Sequence, residues 1–332
     1  MEPGGPPMSG RDVAPLAKRK RTDDPRAEAP PVRSKIWMPY GDIIIQADAT
    51  QFRVNRDILA QHSSVFSDMF SVPQPPNEPT VEGCPIVHVS DAAKDWELLF
   101  EVLYDPFTSK VVQPFPVLAA MLRLGRKYDF RKAKEDAIAR IHSEFPSTFQ
   151  EWEATPDNFV HIQAGDYLLI ELFNLAFECG ILTSIPALGM SCLDSYTLQD
   201  LFEGSNGGPS VATDQAKLAL ALAVERIVNF QRRSMAWLDG DKVVPHISCK
   251  SKDRCRNSRI SLHGRRALYL SRARKLNVSC TIDEWGEYWS GELCSVCEAA
   301  AKDHYEATRR KGWDLLPTFF GLPPWQDLRD LD

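Results

Sequence analysis

No apolar run in the 332 residues approaches the roughly 18 needed to span a bilayer as a helix, so a membrane-spanning helix is not expected. The opening Met-Glu-Pro-Gly-Gly-Pro-Pro has no apolar core, which argues against a secretory signal. An excess of positive charge is also missing. The formal net charge of −6 argues against a chain that coats nucleic acid, although local basic clusters can still bind it. Catalytic signatures are lacking too: there is no Gly-x-Ser-x-Gly elbow, no His-Glu-x-x-His, and no kinase or dinucleotide fingerprint. The seven histidines are scattered, and an enzyme is not expected. What remains is ordinary for a folded protein, with 43% apolar and 25% charged residues in a length that suits two domains.

Eight cysteines without a secretory signal point to the reducing side of the cell, where metal ligation or burial is expected rather than disulfides. The sequon Asn277-Val278-Ser279 is expected to go unused there. Residues 1–34 are rich in Pro, Gly, Ala and charge and have little to bury, so they read as a disordered tail. Within it, Lys18, Arg19, Lys20 and Arg21 form a compact basic run. One reading is a nuclear import signal gripped by an acidic receptor groove; the other is a solvated tail. Localisation is accordingly nucleus or cytoplasm.

From Trp37 onward the pattern changes. Asp42–Ala47 and Gln51–Val54 are β-rich and flank the polar Asp48-Ala49-Thr50, which suits a hairpin. Ile58, His62, Val65 and Met69, with Leu59, Phe66 and Phe70, fall at helical spacing. Ser63 is expected to break this run into two short helices and to cap the second. Five prolines make residues 71–85 a loop, Ile86–Val89 a strand, and Ser90 or Asp91 the cap of a helix that buries Trp96, Leu99, Phe100 and Leu103. Two further stripes follow: Val117, Met121, Leu124 and Tyr128, then Ala133, Ala137, Ile138 and Ile141.

The segment Gly41-Asp42-Ile43-Ile44-Ile45, the run Leu124-Gly125-Arg126-Lys127-Tyr128-Asp129-Phe130 and the close at Phe145-Pro146-Ser147-Thr148-Phe149-Gln150-Glu151-Trp152 resemble the BTB/POZ domains abundant in mushroom-forming fungi. The resemblance covers about a third of the chain strongly, and extends more loosely to Trp313-Asp314-Leu315-Leu316-Pro317 and Phe320-Gly321-Leu322-Pro323-Pro324-Trp325. It implies an α+β fold with a BTB/POZ domain over 35–152, and the helix-rich pattern of 153–332 reads as a mainly α-helical C-terminal domain. The resemblance also implies protein contacts without catalysis, self-association as a homodimer among them. Asp42 matches an acidic residue that lies at the dimer interface of many relatives, Arg56 a basic one, and Asn55 stands where the family usually has His. The alternative for Asp42 is a simple strand-edge residue. Relatives that recruit a cullin-based ubiquitin ligase carry a hydrophobic-x-Glu element in the loop that here is 72–82. Glu78 and Glu82 lack a good hydrophobic anchor there, so substrate receptor for such a ligase is the alternative to a plain adaptor or scaffold.

In the second half, Leu168, Leu172, Leu175, Ala176 and Cys179 mark a buried helix ending at Gly180, and Thr213 opens a long one with Ala216, Leu220, Ala223, Ile227 and Phe230 on one face. Cys84, Cys179 and Cys192 read as inert core thiols. Gly204-Ser205-Asn206-Gly207-Gly208-Pro209 lacks phosphate-loop spacing and reads as a plain loop. Cys249 and Cys255, then Cys294 and Cys297, form the one chemistry-bearing set. Four thiolates suit a closed, structural zinc site, and Cys294-x-x-Cys297 opens a helix expected to reach Lys311. The first pair would come from the loop ahead of the basic segment. The alternative is four reduced thiols, partly buried, without metal. Within the zinc reading, Cys280 and His263 are substitute ligands if one of the four fails. His304 is two helical turns beyond Cys297 and too far to share the ion. The stretch Lys250–Lys275, with Arg254, Arg256, Arg259, Arg265, Arg266, Arg272 and Arg274, reads either as a solvated basic surface for acidic partners or as the nucleic-acid face of a chromatin regulator.

Overall fold

The computed structural model describes residues 30–73, 79–105, 112–204, 212–272, 282, 284–286 and 289–331. The basic run 18–21, Glu78, the glycine loop from Ser205, Arg274, the sequon and Cys280 lie outside them.

Five strands form one sheet in the order β1-β3-β2-β5-β4: β1 (Val32–Trp37), β2 (Ile43–Ala47), β3 (Thr50–Val54), β4 (Thr80–Val81) and β5 (Cys84–Val89). The expected hairpin is β2–β3, antiparallel with Ile45 opposite Phe52. Its turn puts Asp48 at φ 49°, a left-handed conformation that a short polar side chain tolerates. β2 is buried on both faces because it is central and covered by helices, which is why Ile43-Ile44-Ile45 shows no alternation. Two readings need correction. β1 starts at Val32, inside the stretch taken for tail, because it pairs in parallel with β3. Thr80 and Val81 are not loop but a short strand against β5.

Helices α1 (Arg56–His62) and α2 (Ser64–Ser71) break at Ser63, whose hydroxyl accepts from Phe66 N at 3.1 Å as a cap should. Helix α3 (Ala93–Tyr104) is not capped by Ser90 or Asp91. Its Ala93 amide instead donates to Asp48 Oδ2 at 3.1 Å, while Asp91 accepts from the Tyr128 hydroxyl at 2.6 Å. Asp48 thus serves both the hairpin turn and the next helix. Phe66, Trp96, Phe100, Tyr128 and Phe130 make a ring cluster beneath α3, with neighbouring centroids 5.0–6.1 Å apart.

Helix α4 (Phe115–Tyr128) is buried on more than the one stripe the spacing marks, because α3 and α5 (Arg131–Glu144) pack on one side and α7 (Leu168–Cys179) on another. α6 (Phe149–Ala154), α8 (Ile185–Ser195), α9 (Leu198–Glu203), α10 (Asp214–Ser234), α11 (Lys252–Arg272) and α12 (Ser295–Phe319) complete the chain. α7 ends at Gly180 (φ 71°) and Thr213 caps α10 as expected. A main core runs without interruption from Ile36 to Phe320 through residue 152. A second, smaller core begins at Met235. α12 outruns the expected Lys311 and includes Pro317 in its last turns. A proline there denies the Trp313 carbonyl its helical partner, and the Trp325 indole fills the gap at 2.7 Å.

Candidate functional site

The second core is built by Met235, Trp237, Leu238, Val244, Leu262, Trp289, Leu293, Ala301 and Tyr305 around three buried sulfurs, those of Cys249, Cys255 and Cys297. Trp237, Trp285 and Trp289 pack mutually with centroids 5.5–6.3 Å apart, and Tyr305 of α12 meets Trp285 edge-on. Local periodicity gives no sign of this cluster, since its members come from a loop, an irregular segment and a helix.

The four predicted sulfurs come together. Those of Cys249, Cys255, Cys294 and Cys297 all lie within 4.8 Å of one another, and Cys249 and Cys294 are 3.6 Å apart. A tetrahedral ion with metal–sulfur bonds of about 2.3 Å would set its sulfurs about 3.8 Å apart, so the cluster has the right size. Cys249 comes from the loop before α11, as expected. Cys255 does not: it sits in the first turns of α11 itself, and Cys294 is the residue before α12. Backbone amides aim at the sulfurs: His246 N at Cys297 (3.3 Å), Ser251 N at Cys249 (3.3 Å), Cys294 N at Cys255 (3.4 Å), and Cys297 N at Cys294. Donors so placed favour thiolate over thiol. The Cys294 thiol is pulled down to about 7, chiefly by the Cys297 amide, whereas burial pushes Cys297 up to about 12. The donor set is all sulfur and closed, which fits a soft structural ion and leaves no position for water. The amide donors could not be read from sequence, because a backbone amide carries no residue signature.

Of the two substitute ligands, His263 does not join the cluster. His263 Nδ1 lies 3.4 Å from Asp239 instead, and Cys280 is outside the described residues. His246 uses its ring to accept from Ser248 N at 3.2 Å. The other thiols behave as core: Cys84, Cys179 and Cys192 are buried, and burial raises Cys179 to about 11. Much of the basic segment is committed within the fold. Arg256 bridges Asp241 and Asp253, buried Arg259 donates to the Gly240 and Val244 carbonyls, and Arg265 pairs with Glu292.

In the N-terminal unit, Asp42, Asn55 and Arg56 are neighbours at the start of α1. The Asp42 carboxylate accepts from Arg56 N at 2.8 Å, and Asn55 donates to the Tyr40 carbonyl at 3.0 Å and to the Tyr104 hydroxyl through its backbone at 2.9 Å. Asp42 therefore secures a helix start, and Asn55 does work no charged imidazole is needed for. Glu82 is held by Arg33 and Arg53, tying the turn before β5 to β1 and β3.

Arg309, 6% exposed, joins the two halves. It donates to Glu153 (2.7 Å), Glu306 (3.0 Å) and the Ile282 carbonyl (2.7 Å), with its guanidinium 4.8 Å from the Phe149 ring centre. No helix among the described residues is long and apolar enough to cross a membrane. No curated protein sequence matches the chain. A family model described as the BTB/POZ domain does match, over residues 38–142, and with the curled sheet, the paired short helices and the helices that follow, that segment is a BTB/POZ domain, a protein-interaction module, continued by a helical C-terminal region.

Proposed function

We propose that this chain is a non-catalytic adaptor or scaffold, in which the BTB/POZ domain makes protein contacts, self-association included, and the C-terminal region carries one structural zinc ion on Cys249, Cys255, Cys294 and Cys297. The observation that carries the adaptor reading is the BTB/POZ match over 38–142. What supports zinc is the all-sulfur donor set with its amide donors. Asp42 and Arg56 lie on the face offered to a second copy. The basic run 18–21 supports entry to the nucleus.

Light scattering on the purified full chain, with and without charge reversal at Arg56, tests self-association. Affinity capture with the same chain, read by mass spectrometry against a chain-free control, tests the adaptor role. A chain that is monomeric and captures no protein would defeat the reading. Absence of any cullin in the capture would remove the ligase form of it alone. A reporter fused to residues 1–34 that stays in the cytoplasm would remove the nuclear part.

A further inference from the structure

We propose that the exposed side chains on the Cys249 loop and on the first turn of α12 form a docking surface for an acidic protein segment that presents an aliphatic or aromatic side chain. This rests on the metal-centre reading, since the ion would hold the loop and the helix start together.

Ile247 lies between His246, whose amide reaches the Cys297 sulfur at 3.3 Å, and Cys249, whose sulfur is 3.6 Å from that of Cys294. Val296 lies between Cys294 and Cys297 in the first turn of α12. The two aliphatic residues therefore ride on a loop and a helix start pinned to each other at two points. Their neighbours Val244, Cys249, Leu293 and Cys297 are all buried, yet Ile247 is 84% exposed and Val296 41%. They do not fill the second core. A lone exposed isoleucine is ordinary, but two aliphatic side chains on segments clamped together form a preordered contact whose partner need not order them.

Three cations follow Ile247 within seven positions of the chain: Lys250, Lys252 and Arg254 are exposed. Among the described residues none of the three has an ion-pair partner, whereas Arg256, Arg259 and Arg265 farther along α11 are all taken by carboxylates. Lys250, Lys252 and Arg254 thus leave positive charge free in the stretch that follows Ile247. An apolar centre with a charged rim is the anatomy of a protein interface: the centre loses its water and the rim orients the partner. An acidic segment with one apolar anchor satisfies both parts. A nucleic-acid strand would satisfy only the cations, because the five residues offer no aromatic ring on which a base could stack.

The test uses the full zinc-loaded chain and a short fluorescein-labelled peptide of Glu interspersed with Leu, followed by fluorescence anisotropy. An all-Glu peptide and a single-stranded DNA, each of equal length, serve as competitors. The Glu/Leu peptide should bind about tenfold more tightly than the all-Glu peptide. Ile247→Ser combined with Val296→Ser should erase that difference. Lys250→Glu, Lys252→Glu and Arg254→Glu together should weaken both peptides about tenfold or more. Equal binding of the two peptides, tighter binding of the DNA, or an unaffected Ile247/Val296 variant overturns the proposal. Zinc is measured in every sample. A zinc-loaded chain that ignores the peptide defeats the surface alone. A metal-free chain that still prefers the Glu/Leu peptide defeats the metal reading alone, and a metal-free chain that ignores it defeats both.

Discussion

His142 Nε2 lies 2.9 Å from Asp330 Oδ2, so the far end of the chain is pinned to helix α5 of the BTB/POZ domain. Thr183 donates to the other carboxylate oxygen through both its amide and its hydroxyl, each at 2.8 Å. Burial works to raise the Asp330 carboxyl, but the hydrogen bonds from His142 and Thr183 outweigh it and hold the group below the ordinary carboxylate range. A carboxyl depressed on folding contributes stability above the unfolded value of about 4, and that stability is lost as pH falls through the folded value. Asp330→Asn should cost about 1–2 kcal/mol near neutrality. Urea titrations at descending pH should show the gap between variant and parent closing below about pH 4. A gap that is constant in acid would show that the charge is not what matters.

Full chain purified without chelator should carry about one equivalent of zinc. Cys297→Ala should lose most of it, while Cys192→Ala, a core thiol outside the cluster, should keep it. Hydrogen exchange should show α11 and the first turns of α12 losing protection in the Cys297 variant, with α7 unchanged. Less than about half an equivalent in the parent chain would refute the metal centre.

Gly189 sits within α8, where alanine is ordinarily favoured by about 1 kcal/mol. A Cβ there would fall 2.3 Å from Cε1 of Phe320, a buried ring that also meets Phe173 at a centroid distance of 6.3 Å. Packing should override propensity. Gly189→Ala should destabilise by about 1–3 kcal/mol, measured by chemical denaturation; a stabilised variant would mean the ring has room to move.

Arg309→Met should cost about 1–3 kcal/mol, because it leaves the buried Ile282 carbonyl without its donor and Glu153 and Glu306 without their cation. Arg309→Lys should recover only part of that. A single ammonium cannot span the Ile282 carbonyl and two carboxylates while lying over Phe149. Full recovery in thermal denaturation by Lys would reduce the joint to simple charge.

Elements set by local chemistry were legible in the sequence. The β2–β3 hairpin, the Ser63 cap, the Gly180 stop and the Thr213 start each depend on residues a few positions apart. What could not be read depends on distant partners. Asp48 reaches across 45 positions to start α3, and Cys249 meets Cys294 across the same span. Pro317 looks like a helix stop until Trp325 is known to satisfy the carbonyl it orphans. The four ligand candidates were found because soft ligands are few and their pairing at a helix start is recognisable. Placing Cys255 in a loop failed because the helix pattern of α11 is weak, polar and basic on most of its surface.

Helix α12 begins among four sulfurs and ends about 37 Å away, where Trp313 packs on Phe149 and Trp152 and stacks against Trp325. Packing of α7 on α4 supplies the floor on which the BTB/POZ unit rests, and α12 extends it beneath α6. A bait cut after residue 152 would therefore offer a screen an oily underside that the whole chain keeps covered, and such a bait would collect partners by stickiness rather than by recognition. Bait fragments for finding the true partner need the chain out to Leu331, whose amide closes the far end onto the Gly180 carbonyl at 2.8 Å.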